Sequence, residues 1–154
     1  MKMSVMNIKQ AEIDDIHYFL PLISDYWKFE GIQHFNAEKI EKQLTRLFSE
    51  PNLGLGWLAF LHSEAVGYLL AVYAFSLEHL GLTAEIDEFY ILPQYRRYGI
   101  GRAMIQTAEL GFLKAGCTNV SLQVEFRNDS AHTFYFGQGY IKRTRYEILE
   151  KNIK

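Results

Sequence analysis

One stretch, residues 84–126, constrains the fold of this chain more than any other. It predicts a strand over residues 84–91, a helix over residues 100–115 that Gly116 ends, and a second strand over residues 119–126. A strand, a helix and a strand in this order form a parallel pair, because the helix carries the chain back to the end of the sheet where it started. The fold is therefore expected to contain a parallel pair with a helical crossover.

The other predicted elements extend this pair into a mixed α/β sheet. Apolar alternation or apolar and aromatic runs predict strands over residues 4–10, 55–61, 65–75 and 140–149. Apolar residues at helical spacing predict helices over residues 12–28, 37–49 and 130–136. Pro21 is expected to bend or split the first helix, and Asn36 to cap the second. The predicted order is β-α-α-β-β-β-α-β-α-β in one domain over residues 1–154, since a domain has roughly 100–150 residues.

Charge and cysteine content argue against several classes of protein. The 16 lysines and arginines are outnumbered by 18 aspartates and glutamates, for a net charge of −2, which argues against nucleic-acid binding. The single cysteine, Cys117, forms no internal disulfide and no cysteine-based zinc site, and the five histidines lack metal-ligand spacing. We expect no metal. The most apolar stretch, residues 57–75, is interrupted by polar residues 62–64, so we expect a cytoplasmic protein without a membrane span.

The loop over residues 94–101 has the features of a pyrophosphate site. Gly99 and Gly101 let an anion approach the backbone, and the helix that follows begins with unpaired N–H groups at the positive end of its dipole. Arg96, Arg97 and Arg102 add positive charge. The same residues also fit a tight turn with a solvated basic rim. The pattern is neither a Walker loop nor a good dinucleotide fingerprint.

The predicted strand over residues 84–91 carries three carboxylates, Glu85, Asp87 and Glu88. A strand that precedes a crossover is expected to be central, and unpaired buried carboxylates are costly there. These acids therefore face a wet cleft, pair with arginines, or lie at a salt-bridged rim. Alternation places Glu85 and Asp87 on one face and Glu88 on the other, unless a bulge reassigns them.

Two motifs in this half of the chain resemble those of the GNAT superfamily of N-acetyltransferases. Residues 96–101, Arg-Arg-Tyr-Gly-Ile-Gly, match the pattern Gln/Arg-x-x-Gly-x-Gly/Ala between a strand and a helix. Downstream, Asn128, Ala131, Tyr135 and Gly139 match a second motif, with Tyr140 in place of the commoner Phe. The resemblance covers about residues 84–140, and the N-terminal half matches in element order alone.

The resemblance implies acetyl-CoA as donor, an amine as acceptor, and splayed parallel strands with the donor in the gap. It implies that backbone amides of the loop bind the pyrophosphate and that the pantetheine arm lies alongside the strand near its end. The positions that it assigns to the donor are Tyr90, Ile91, Arg96, Arg97, Tyr98, Gly99, Ile100, Gly101, Arg102, Asn128, Ala131 and Tyr135.

The chemistry of amine acetylation adds a requirement for a base. A primary amine has a pKa near 10.4 and is mostly protonated at neutral pH, so a general base must remove its proton. The resemblance places the base on the strand over residues 84–91, where we favour Glu88 and then Glu85. Tyr135 matches the family's general acid, which would protonate the departing thiolate. It also fits a packed aromatic residue on a short helix.

The acceptor side is the least determined part of the sequence. The resemblance places it near the segment between the first two helices, where we select Tyr26, Trp27 and Glu30, together with Asp87 on the acidic strand. The aromatic residues fit hydrophobic core or a dimer contact equally well. A homodimer is expected by family analogy alone. Two other functions stay open: a CoA or acyl-CoA sensor without turnover, and a protein-interaction module.

Overall fold

A five-stranded mixed sheet is the framework of the computed structural model, which describes residues 5–154. The strands lie side by side in chain order: β1 (Met6–Gln10), β2 (Gly54–Leu61), β3 (Glu64–Ser76), β4 (Gly81–Ile91) and β5 (Asn119–Leu122). The first three pairs are antiparallel, and β4 pairs with β5 in parallel. The mixed α/β class and the parallel pair predicted from the sequence are confirmed.

Four helices accompany the strands: α1 (Ile16–Glu30), α2 (Ala37–Ser49), α3 (Ile100–Lys114) and α4 (Asp129–Gly137). The chain divides into two compact units. The first runs to Gln123 and holds the sheet and α1 to α3, and the second, Val124–Lys154, holds α4. Within residues 5–154 no helix combines the length and apolar composition needed to cross a bilayer.

The sheet of the first unit is covered on both faces. Tyr68, Leu70 and Tyr90 on one face join a buried cluster with residues of α1 and α2, among them Phe19 and Ile23. On the other face Trp57 of β2 meets Phe112 of α3 edge to face, with ring centroids 5.4 Å apart. The helix after β4 therefore packs against the face opposite to α1.

Local sequence signals account for the element ends. The Asn36 side chain accepts a hydrogen bond from the Lys39 amide at 2.9 Å, which confirms the predicted cap of α2. His62 and Ser63 join β2 to β3 with φ angles of 49° and 69°. Two left-handed residues make a turn whose twist suits a two-residue hairpin loop.

Three sequence-based predictions differ from the structure. Pro21 does not split α1, which runs from Ile16 to Glu30 with the proline inside it. The strand predicted over residues 119–126 ends at Leu122. The first strand begins at Met6, and Ser4, with which the prediction began, lies outside the described residues.

The last predicted strand is wrong: none of residues 140–154 belongs to a strand. A strand needs a partner as well as alternation, since its stability comes from ladder hydrogen bonds and from one buried face. Here apolar residues fall on both faces, as Ile148 and the adjacent Leu149 show, and Leu149 is 90% exposed.

The contact between α3 and β2 predicts an unusual effect of a glycine substitution. A Cβ on Gly111 would lie 2.6 Å from Cζ2 of Trp57, whose ring is buried. We expect Gly111→Ala to destabilise the protein by about 1–3 kcal/mol, as overpacked sites do. Where a helical glycine has open space around it, substitution by alanine instead raises the stability of the protein. Urea unfolding would measure the loss in free energy of unfolding as a lower midpoint at an unchanged m-value.

Gly137→Ala is the matched control, because nothing lies within 4 Å of a Cβ at Gly137. Equal midpoints for Gly111→Ala and the unmodified protein would show that the Trp57 ring moves aside without cost.

Candidate active site

A bulge in β4 decides which acidic side chains face α1. Leu70 of β3 pairs with Glu88, and the next residue, Ala71, pairs with Ile86, so Asp87 is the extra residue. Paired residues point to the same face, and Leu70 and Val72 share a face. Since Val72 pairs with Glu85, the bulge places Glu85 and Glu88 on one face. Regular alternation would have placed Glu88 on the face opposite to Glu85 and Asp87, and it does not hold here.

The Glu88 carboxylate is held by two donors from different elements. Trp27 of α1 donates its Nε1–H to Oε2 at 2.9 Å, and the Tyr68 hydroxyl of β3 donates to Oε1, also at 2.9 Å. Tyr68 is fully buried, and burial together with the Glu88 charge raises the pKa of its hydroxyl far above the ordinary range. The hydroxyl therefore remains a donor to Glu88 throughout the physiological range.

Burial raises the pKa of the Glu88 carboxyl above its ordinary value. The hydrogen bonds from Trp27 and Tyr68 act in the opposite direction, because they stabilise the ionised form. The charge of Asp87 adds to the upward shift. Glu88 is therefore a stronger proton acceptor than an ordinary glutamate, and its carboxylate is fixed in direction.

The other two acids on β4 lie in different surroundings. Asp87 is exposed at the bulge, yet neighbouring protein removes part of the hydration of its carboxylate and raises its pKa. Glu85 lies where β4 still pairs with β5, and its Oε1 accepts a hydrogen bond of 3.3 Å from Gln123 Nε2. The structure thus brings Glu88 and Asp87 to the bulge and keeps Glu85 in the paired part of the strand.

Aromatic residues of α1 surround the Glu88 carboxylate. The Tyr26 ring meets those of Tyr68 and Tyr90, with centroids 6.3 and 5.7 Å apart. Burial, followed by the charges of Glu30, Glu88 and Asp87, raises the pKa of Tyr26 to about 12. Of the predicted acceptor residues, Trp27 bonds to Glu88, Tyr26 and Asp87 interact with its charge, and Glu30 acts on Tyr26. Tyr26 and Trp27 are also packed against the core, so part of the alternative interpretation holds too.

The last turn of α1 is fixed by its own backbone. Gly31 takes a left-handed conformation with φ of 70°, and the amides of Gly31 and Ile32 donate to the carbonyls of Lys28 and Trp27. These two bonds form a Schellman motif, which ends the helix at a defined place. The Trp27 side chain consequently starts from a rigid backbone.

Strand pairing on one side of β4 ends just before the acids Asp87 and Glu88. Pairing with β5 ends at Ile86 and Leu122, and within residues 5–154 no strand pairs with residues 87–91 on that side. The Ile91 carbonyl at the end of this segment accepts a hydrogen bond from Arg96 Nε at 2.8 Å. The strand ladder between β4 and β5 therefore ends before Asp87 and Glu88 are reached.

The loop after β4 ends in a helix start that no side chain caps. Arg97 and Gly99 take left-handed conformations with φ of 67° and 81°, and Gly99 occupies the N-cap of α3. The helix bonds begin with the Ala103 amide, which donates to the Gly99 carbonyl at 3.1 Å. Arg97 and Arg102 are exposed beside this turn. These features fit an anion, and Ile100 anchors the turn in the core.

The second motif has a structural role within the second unit. The Asn128 side chain caps α4 by accepting a hydrogen bond from the Ala131 amide at 3.1 Å. Tyr135 lies on the same helix, with its ring 5.1 Å from that of Phe134 and 5.6 Å from that of Tyr140. Asn128 and Ala131, both predicted to bind the donor, are thus hydrogen-bonded to each other.

Tyr68 is a residue of the candidate site that the sequence analysis does not single out. The signal was present, because a tyrosine in an apolar central strand must find a partner for its hydroxyl.

An open cavity of about 440 Å³ in the first unit lies elsewhere, between the end of α2 and the start of β2, and contains none of the predicted site residues. Among the described residues, no group of three or more acidic, histidine or cysteine side chains is arranged to hold a metal.

Comparison with known proteins identifies similar chains. The sequence model of the Acetyltransferase (GNAT) family matches residues 17–140. Spermidine N(1)-acetyltransferase of Thermoplasma acidophilum is 24% identical and covers 88% of each chain. Aminoalkylphosphonate N-acetyltransferase of Salmonella typhimurium is 27% identical, over 90% of this chain and 86% of the relative. An aminoglycoside acetyltransferase from an uncultured soil metagenomic sample, solved with trehalose, has the same fold, with a TM-score of 0.83, 18% identity and full coverage of both chains.

The environment of Glu88 predicts how its titration responds to Tyr68→Phe. Loss of the hydroxyl donor removes a bond that favours the ionised form, so the pKa of Glu88 should rise further. Carbon-13 NMR of glutamate carboxyls, assigned with Glu88→Gln, would measure it. Tyr73→Phe on the same strand is the control and should leave the Glu88 resonance unchanged.

The same shift predicts the sign of a stability change with pH. The pKa of Glu88 is higher in the folded state than in the unfolded state, where it is near 4.5. The contribution of Glu88 to stability is therefore fully present below pH 4.5 and is lost as the pH rises through the folded-state pKa. The unfolding free energy of the wild type should fall relative to Glu88→Gln across that window. A difference that rises with pH would contradict the raised pKa.

Proposed function

The chain belongs to the acetyltransferase (GNAT) family, and we propose that it transfers the acetyl group of acetyl-CoA to a primary amine of a small molecule. Enzymes of this family are acetyltransferases with acetyl-CoA as co-substrate. The observation that carries the proposal is the Glu88 carboxylate. It is held by two donors at 2.9 Å, its pKa is raised, and it lies just beyond the end of the ladder between β4 and β5.

The proposed donor site extends from the edge of β4 to the start of α3. The backbone at Tyr90 and Ile91 would bind the extended arm, and the amides between Tyr98 and Arg102 would bind the pyrophosphate. Arg97 and Arg102, which are exposed beside this turn, would supply positive charge. Bound there, acetyl-CoA supplies the acyl group as a thioester.

We assign the role of general base to Glu88. An amine nucleophile must lose a proton before or during its attack on the thioester carbonyl, and Glu88 would accept that proton directly or through water. A raised carboxyl pKa brings the base closer to the amine's pKa, which favours the transfer. Asp87 is exposed beside it, and Glu85 is bonded to Gln123, so both are weaker candidates.

Tyr135 is proposed as the general acid on the strength of the family resemblance. Its hydroxyl would give a proton to the thiolate of CoA as the carbon–sulfur bond breaks. Asn128 and Ala131 would act beside it by ordering the first turn of α4, where they bond to each other. We propose that both units form one acetyltransferase domain, because the family match runs from residue 17 to residue 140 and crosses the boundary after Gln123.

The acceptor is proposed to be a cationic amine with an apolar portion. The carboxylates of Glu30, Asp87 and Glu88 favour a positive charge, and the aromatic rings of Tyr26 and Trp27 favour an apolar chain beside it. The relatives named for spermidine and aminoalkylphosphonates act on small amines, which supports this class. A homodimer, a cytoplasmic location and the lack of nucleic-acid or membrane partners stay predictions.

A CoA or acyl-CoA sensor is the second candidate, and a protein-interaction module is the third. A sensor requires the anion-binding loop and an open strand edge but has no use for a base. The fixed Glu88 carboxylate favours the enzyme over the sensor.

Donor binding is the first test. We expect calorimetry to detect acetyl-CoA binding by the wild type, and Gly101→Val to weaken it, because a side chain would obstruct the backbone at the first turn of α3. ATP is the control ligand, and Leu110→Ala, an exposed position in the same helix, is the control variant. Absence of binding by the wild type would overturn the proposed function.

Turnover on a panel of small amines tests the two catalytic residues. We expect Glu88→Gln and Tyr135→Phe each to lower kcat by roughly 10²–10⁴-fold, the usual contribution of a general base or acid. Glu85→Gln is the matched control, because Glu85 lies on the same strand and face. A large loss with Glu85→Gln and none with Glu88→Gln would transfer the base to Glu85. Acetyl-CoA binding without acetyl transfer to any amine would favour the sensor.

A further inference from the structure

Arg96 is oriented toward α1, although the sequence motif groups it with the donor loop. Its guanidinium carbon lies 5.4 Å from the ring centroid of Phe29 and 5.2 Å from that of Tyr90. Its Nε–H also donates to the Ile91 carbonyl at 2.8 Å. The side chain therefore connects the last turn of α1 to the end of β4.

Phe29 is the residue of α1 that Arg96 contacts. Phe29 is 59% exposed, and its ring lies 6.2 Å from that of Tyr90. Two residues before it, Trp27 donates its indole N–H to Glu88. Any shift of the last helical turn would therefore change the distance between Trp27 and the Glu88 carboxylate.

We propose that Arg96 is a positioning residue that clamps the last turn of α1 onto β4 and thereby holds Trp27 against Glu88. The proposal rests on the proposed function, in which Glu88 is the base. Arg96 serves the acceptor side of the site. Arg97 and Arg102 remain the cations of the donor side.

The chemistry of arginine fits this role better than that of lysine. A guanidinium stacks on two rings and still presents a directed N–H to a carbonyl, whereas an ammonium is a point charge without that planar fork. Arg96→Lys should keep part of the ring contact and lose the bond to Ile91. It should therefore show an intermediate effect, and Arg96→Gln the full effect.

Acrylamide quenching of tryptophan fluorescence reports the clamp without any acceptor. Trp57 is 2% exposed and contributes little, so quenching follows Trp27. We expect the quenching constant to rise in Arg96→Gln, to rise less in Arg96→Lys, and to stay unchanged in Arg97→Gln. Phe29→Leu should reproduce the increase, and the double variant Phe29→Leu/Arg96→Gln should add little to it, because both changes break one contact.

Binding and kinetics separate positioning from donor binding. Arg96→Gln should leave the Kd for acetyl-CoA unchanged and raise KM for the amine or lower kcat/KM by roughly 5- to 30-fold, as expected from two cation–π contacts. Arg97→Gln should instead weaken acetyl-CoA binding by about tenfold, as loss of a charged hydrogen-bond partner does. Thermal unfolding of each variant would confirm that it is folded.

Two results would overturn the proposal. The first is a loss of acetyl-CoA affinity in Arg96→Gln as large as that in Arg97→Gln, which would make Arg96 a donor ligand. The second is unchanged quenching of Trp27 in Arg96→Gln, which would show that no clamp exists. A wild type that binds no acetyl-CoA would overturn the proposed function itself, and the quenching series would still decide whether Arg96 holds Trp27.

Discussion

A carboxylate taken out of water must be compensated, and the region around Glu88 is organised by that requirement. Desolvation of a charged group costs several kcal/mol unless hydrogen bonds replace its hydration. Trp27 and Tyr68 supply those bonds from α1 and β3, at 2.9 Å each. Three elements that are distant in sequence are thereby tied to one side chain. The pKa of Glu88 is still raised, so these bonds offset only part of the cost of burial.

The bulge at Asp87 and the end of pairing at Ile86 act together. Up to Ile86, β4 is an ordinary central strand with neighbours on both sides. Beyond it, the ladder with β5 has ended and the side-chain alternation has shifted by one residue. The shift turns Glu88 toward the aromatic residues of α1 and Asp87 toward solvent. The bulge sets the direction of the Glu88 side chain, and the end of the ladder with β5 falls next to it in the chain.

The parts that could be predicted from sequence are those set by local chemistry. The parallel pair, the Asn36 cap of α2 and the loop before α3 follow from helix signals, capping residues and glycine positions. The shared face of Glu85 and Glu88 could not be predicted, because a bulge is fixed by pairing with β3. The prediction of a strand over residues 140–149 was wrong for a similar reason, because alternation in the sequence does not show whether a neighbouring strand is available for pairing. The orientation of Arg96 depends on Phe29, 67 positions earlier, which no local pattern encodes.

The left-handed backbone at Arg97 has a consequence for how this protein can be altered. An arginine at φ of 67° carries a backbone penalty of about 1–2 kcal/mol that a glycine would avoid. Arg97 is exposed, so packing of its side chain offsets little of that backbone penalty. Selection for thermal stability alone would favour glycine there, whereas selection for anion affinity would favour arginine. Under the proposed function, position 97 is therefore a site where stability and activity are traded against each other.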